Sequence, residues 1–200
     1  QYKFSSMFSV HNTKNIKILN SQFLLNELFD DTIHVIYSSD ILFDNIKVNN
    51  AFGDAIDVDI SKFVNIKNSL IKGSKNDGLD FMESQAIIEN MLVVNSEDKG
   101  ISVGENSKVT VRNSIFKNNK IGAAIKDNSI GLFNDNKFLN NDIQIASYAK
   151  NWRYGSGGNV KIQNSIIESK ENKFVTTMDP DDFKKKKDKN LNQNSKINVL

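Results

Sequence analysis

An all-β chain wound into repeating coils is what the sequence predicts, from three observations. One asparagine recurs at nearly constant spacing, apolar and polar residues alternate in short runs between the recurrences, and helical spacing is nowhere sustained over ten residues. The recurring segments are NIKILNSQF, ILFDNIKV, VNIKNSLI, IIENMLV, VTVRNSIF, LFNDNKFL and VKIQNSII, aligned on Asn20, Asn45, Asn68, Asn90, Asn113, Asn136 and Asn164. Their separations are 25, 23, 22, 23, 23 and 28 residues. Three positions after each stands an apolar residue: Phe23, Val48, Ile71, Val93, Phe116, Leu139 and Ile167. A leucine-rich repeat needs its own L-x-x-L-x-L pattern, which is missing. The fold class that fits is a single-stranded right-handed parallel β-helix of about seven coils of 22–25 residues. Equivalent residues of successive coils then stack about 4.8 Å apart.

Within a coil the alternation assigns the faces. Val64 and Ile66 point inward with Asn65 and Lys67 outward; Leu79 and Phe81 point inward with Asp80 outward. The 29 asparagines suit this arrangement if the recurring one sits at an inward-facing bend, bonded to the asparagines above and below in a ladder. The outward column Asp44, Lys67, Glu89, Arg112, Asp135, Gln163 reads as a salt-bridged solvent face. The β-helix domain is expected over residues 1–178, with residues 147–158 as a loop insertion accounting for the long last spacing. NKFVTT reads as the end of a strand. Residues 179–200 read as a charged tail or linker carrying Pro180 and KKKKDK, with SKINVL as a further strand.

Composition excludes several classes. A net charge of +2, partly from that one lysine run, gives no domain-wide basic field, so no nucleic-acid partner is expected. No apolar stretch approaches the roughly 18 residues of a membrane span, so no membrane insertion is expected. Cysteine is absent, which removes disulfides and thiolate metal sites. The chain opens at Gln1 without a Met, and an excerpt of a longer protein with further domains is expected.

Carboxylates gather in the outward columns. One column reads Asp31, Asp54, Asp77, Lys99; a second Ser9, His34, Asp57, Asp80, Ser102, Ala124, Gln144; a third His11, Ile36, Asp59, Met82, Gly104, Lys126. Asp57, Asp59 and Asp80 should share one surface, with His34 one coil away and Asp54 and Asp77 at its rim. Like charges one strand spacing apart are relieved by protonation, by a cation or by a neighbouring base. A calcium ion could draw oxygens from Asp54, Asp57, Asp59, Asp77 and Asp80. A carboxyl pair about 5 Å apart also suits retaining glycoside hydrolysis. A solvated acidic face is the third option.

With its Asn-x-x-apolar register over residues 15 to about 170, the chain resembles the right-handed β-helix repeat proteins of the pectate lyase and polygalacturonase superfamily. Asn76-Asp77-Gly78-Leu79-Asp80 is similar to the polygalacturonase N-T-D-G-x-D signature, and Glu97-Asp98 to its paired-acid coil one turn later. The resemblance implies a secreted or cell-surface protein acting on or binding polysaccharide, with Asp77 and Asp98 as general acid and water-activating base. The pattern departs at K-N-D in residues 75–77, at Glu97, and in the next coil, NKIGAAIK, which lacks Gly-His-Gly; no Arg-Ile-Lys follows. These departures remove a substrate-orienting His and the subsite cations.

Three functions follow: a module binding carbohydrate or a surface glycan, with calcium as the expected cofactor; a lyase, hydrolase or epimerase using His34, Asp57, Asp77, Asp80 and Asp98; or a stiff spacer in a larger surface protein. Residues 147–158 hold the only Trp, and Trp152, Arg153 and Tyr154 could form a platform for a sugar ring or an anionic group.

Overall fold

A computed structural model of the chain describes residues 6–168, 175–176 and 195–200. Three parallel sheets run along it. The first joins β1 (Ser6–His11), β4 (Asp31–Ile36), β7 (Ile56–Asp59), β10 (Leu79–Met82), β13 (Lys99–Gly104), β16 (Ile121–Lys126), β19 (Ile143–Tyr148) and β22 (Val175–Thr176). The second joins β2 (Lys14–Leu19), β5 (Ser39–Asp44), β8 (Lys62–Lys67), β11 (Gln85–Glu89), β14 (Lys108–Arg112), β17 (Ile130–Asn134), β20 (Asn159–Gln163) and β23 (Lys196–Val199). The third joins β3 (Gln22–Leu24), β6 (Lys47–Ala51), β9 (Leu70–Ser74), β12 (Leu92–Ser96), β15 (Ile115–Lys117), β18 (Lys137–Leu139) and β21 (Ile166–Glu168). Among the described residues each coil contributes one strand to each sheet, so seven full coils stack as the repeat spacing predicts. SKINVL does form a strand, β23, paired to β20. The run at Lys184–Lys189 lies outside the described residues.

Inward side chains stack coil on coil. Ile33, Ile56, Leu79 and Ile101 form one fully buried column, and Val35, Val58, Phe81, Val103 and Ile125 another. Phe116 and Phe138 stack at 5.3 Å between ring centroids, with Phe133 edge-on to Phe138 at 5.6 Å. On the outside, Lys67 pairs with Asp44 and Arg112 with Glu89, as the charged column predicts.

The bends explain the asparagines, and differ from the expectation. Asn20, Asn45, Asn68, Asn90, Asn113 and Asn164 all have φ between 49° and 56°, and all are exposed. The left-handed backbone that closes each corner favours asparagine among non-glycine residues. The ladder exists, since Asn45 Nδ2 donates to Asn20 Oδ1 at 2.7 Å and Asn90 Nδ2 to Asn68 Oδ1 at 3.0 Å, but it faces outward. The inward job falls to the next residue. Ser69 Oγ accepts from Ile46 N at 3.0 Å and Ser114 Oγ from Met91 N at 3.1 Å. At the corner between the first and second sheets Ser38, Ser61, Ser84 and Ser107 repeat the device, each N–H bonding the hydroxyl of the next coil.

The register also corrects three alignments. Asp135, with φ 58°, continues the outward asparagine column, while Asn136 is buried and accepts from Ser114 N at 2.9 Å; the stacked apolar residue is therefore Phe138, not Leu139. Asn134, not Asp135, follows Arg112 in the charged column. In the second acid-bearing column Ala146, not Gln144, follows Ala124. Each slip arises where one coil distributes its residues differently between strand and bend, which a fixed period does not reveal.

Candidate functional site

The outward side of the first sheet carries the acids in the predicted register. His34 pairs with Asp57, Asp57 with Asp80, and Asp80 with Ser102 across β4, β7, β10 and β13, while Asp59 stands two residues along β7 from Asp57. Strand alternation turns all of them outward because the intervening Val58, Leu79 and Phe81 fill the core. His34 Nε2 lies 3.2 Å from Asp59 Oδ2 and 3.6 Å from Asp57 Oδ2. His34, Asp57 and Asp59 each offer an atom within 4.8 Å of the others, the one such group of three among the described residues.

The electrostatics of this face are strained by design of the stack. Burial, then the neighbouring Asp59 and Asp80 carboxylates, push the Asp57 carboxyl up to about 10. The hydrogen bond to Asp59 raises His34 above its ordinary value, with burial opposing it. Burial raises Asp31 to about 6, against the pull of His34.

The rim acids have other partners. Asp54 Oδ1 accepts the backbone N–H of Asp77 at 2.6 Å, and Asp77 Oδ1 accepts that of Lys99 at 2.9 Å, so each carboxylate ties one coil to the next. Burial and Asp77 raise Asp54 to about 8; burial raises Asp77 to about 6 despite Lys99. Lys99, itself 5% exposed, reaches Asp77 Oδ1 at 3.3 Å and also Asp98 Oδ2. Burial alone would lower this ammonium, but Asp77 and Asp98 hold it above its ordinary range. Asp98 also bonds Lys120 at 3.1 Å; burial opposes ionisation of its carboxyl, yet the two lysines hold it below the usual range. His34, Asp57 and Asp59 are thus brought together, with Asp80 one coil on. Asp54 and Asp77 stand in the adjacent column on backbone bonds, and Asp98 is joined to Asp77 through Lys99.

The expected 147–158 loop starts later than the spacing predicts, because Ser147 and Tyr148 still belong to β19; residues 149–158 fold back along the corner between the first and second sheets. Asp127, fully buried, accepts the N–H groups of Lys150 and Asn151 on one oxygen, at 2.6 and 2.7 Å. Trp152–Tyr154 form a single 3-10 turn capped by Asn151, and Tyr154 Oη donates to Glu83 Oε1 at 2.9 Å. Glu83 lies immediately after β10, which bears Asp80, so the loop borders the acidic face. Trp152 is 74% exposed, with the Arg153 guanidinium 5.8 Å from its ring. The anchors Asp127 and Glu83 escape sequence reasoning because they act across one and three coils respectively. Lys126, which the sequence places after Gly104 in the third column, lies with its side chain over that glycine, where an added Cβ would come within 3.2 Å of Lys126 Cε.

A groove of about 420 Å³ runs elsewhere, along the exposed asparagine ladder from Asn45 to Asn113. Its lining includes one ionisable side chain, Lys47. Among the described residues no helix is long and apolar enough to cross a membrane.

The family profile described as "Right handed beta helix region" matches residues 6–167. No curated protein matches the chain. Among solved structures it is similar to the catalytic domain of GH87 alpha-1,3-glucanase in complex with nigerose, at 12% identity and a TM-score of 0.41, over 83% of this chain and 49% of that one. The chain thus spans about half the length of that domain. A plasmid-mediated fluoroquinolone resistance protein, QnrB1, shows 12% identity and a TM-score of 0.18 over 76% of this chain and 82% of its own.

Proposed function

Because the chain belongs to the right-handed β-helix family, we propose that it is a module of a secreted or cell-surface protein that binds carbohydrate or an anionic glycan on the outer face of its first sheet. The carrying observation is the row His34, Asp57, Asp80 and Ser102, with Asp59 beside it and the Trp152–Tyr154 turn along its edge. Carboxylates that accept from sugar hydroxyls, with an exposed indole on the turn that Tyr154 anchors to Glu83, make a sugar-binding surface. A divalent cation belongs to the proposal, and calcium is the ion that carboxylates alone would select. It would bridge the face to an anionic glycan, with Asp57, Asp59 and Asp80 as the outward oxygens.

Binding of neutral and acidic oligosaccharides by calorimetry, with and without calcium, tests this. We expect affinity for at least one class, reduced tenfold or more by Asp57→Asn/Asp80→Asn or Trp152→Ala. Failure to bind across both classes overturns it and leaves the spacer function.

One observation favours an enzymatic reading of the same face. The Asp57 carboxyl, pushed up to about 10, would be protonated at neutral pH beside other carboxyl groups, the separation of roles that acid–base chemistry on a glycosidic bond uses. Release of new reducing ends or unsaturated products from a bound polymer, lost in Asp57→Asn, would establish it; intact polymer after prolonged incubation would discard it.

A further inference from the structure

The geometry points to a binding site for a borderline divalent transition ion, zinc or its chemical kin, held by His34, Asp57 and Asp59. This deepens the reading of the outer face of the first sheet as a ligand surface, and it names a different ion from the one carboxylates alone would choose. The imidazole decides. Calcium takes six to eight oxygens, whereas one imidazole nitrogen with two carboxylates is a ligand set of zinc, iron or manganese chemistry.

The geometry is compatible with such an ion. The three ligand atoms already lie within 4.8 Å of one another, and His34 Nε2 faces both carboxylates, at 3.2 and 3.6 Å. The ligands stand on β4 and β7, which are held on their outer sides by β1 and β10, so the positions are fixed by sheet rather than loop. Three protein ligands leave coordination positions open to water or a ligand hydroxyl.

Burial sets the cluster apart from a solvated acidic patch. The side chains of His34, Asp57 and Asp59 are 12%, 18% and 16% exposed, so three ionisable groups are held together largely out of water.

The test titrates zinc chloride, and separately calcium chloride, into the chelator-stripped protein by calorimetry with no glycan present. Its failure therefore leaves glycan binding standing, and absence of glycan binding leaves this site standing. The expected result is one zinc per chain, bound at least tenfold more tightly than calcium. His34→Gln should weaken zinc at least tenfold, and His11→Ala should leave it unchanged. No zinc heat, calcium bound as tightly as zinc, or His34→Gln titrating like the unmodified chain would each overturn the proposal. Cobalt(II) absorption of the unmodified chain gives a reading that does not depend on any variant folding: visible d–d bands are expected at one equivalent, and a spectrum identical to aqueous cobalt overturns the site.

Discussion

At Ile60 the backbone takes φ 45°, a left-handed conformation that a β-branched side chain occupies only under strain, and Ile60 is 38% exposed. The equivalent positions one coil away are Tyr37 and Glu83, and farther along the corner are Asn12 and Glu105, all with positive φ. The corner therefore demands the conformation whatever residue supplies it. Asparagine tolerates it at lower cost, so Ile60→Asn should stabilise the fold by about 1 kcal/mol. Urea unfolding measures this, and a lower midpoint than the unmodified chain would count against it.

The same corners define the strength of each coil. Ser84 Oγ accepts from Ser61 N at 2.9 Å and donates to Met82 O at 2.8 Å, inside a corner where Ser61, Ser84 and Ser107 are all buried. Ser84→Ala removes the acceptor and leaves a buried N–H unpaired, at a cost of about 1–3 kcal/mol. At the opposite corner Gly78, Gly100 and Gly122 stack where the third sheet turns into the first. A Cβ at Gly100 would lie 2.7 Å from Gly122 O and 2.8 Å from Asn119 Nδ2. Gly100→Ala should therefore also destabilise, by about 1–3 kcal/mol of overpacking. Thermal melts of both variants check the pair; an unchanged midpoint in either would mean that its corner gives way without cost.

Over the whole molecule the acid columns set an unusual pH response. Asp31 and Asp77 are raised to about 6, Asp54 to about 8 and Asp57 to about 10, so the folded chain holds protons that the unfolded chain has released. Stability from these groups is fully present below the unfolded carboxylate value and is lost as pH rises through the folded values. Asp98, held low by its lysines, acts oppositely and loses its contribution as pH falls through its folded value. In metal-free buffer the melting temperature should therefore rise on going from pH 8 to pH 5, and fall only at stronger acidity. A melting temperature that drops steadily between pH 8 and pH 5 would contradict the raised carboxyls. Asp54→Asn, which keeps an oxygen for Asp77 N, should flatten the alkaline part of the curve.

The sequence by itself determined the coil, its period and most of the outward columns. A strand side chain has only two faces, and a repeat near 23 residues brings like positions into register, so His34, Asp57 and Asp80 could be placed in one row before any coordinates. It also marked SKINVL as a strand, which is β23, and residues 147–158 as leaving the coil, although Ser147 and Tyr148 still pair with Ile125 and Lys126 as part of β19 and the departure begins only after them. Only the tertiary structure decided what the asparagines do, because the direction of a side chain at a bend depends on backbone φ, and a left-handed residue turns outward while the serine after it turns in. The one-residue shift at Asp135 and Asn136 has the same origin. Tertiary structure likewise decided that Asp54 and Asp77 spend their oxygens on backbone N–H groups, and that Asp59 rather than Asp80 completes the pair around His34. The docking of Tyr154 on Glu83 depends on a contact spanning 71 residues, and no local pattern encodes a distance in space between two segments that only the winding of the coil brings together.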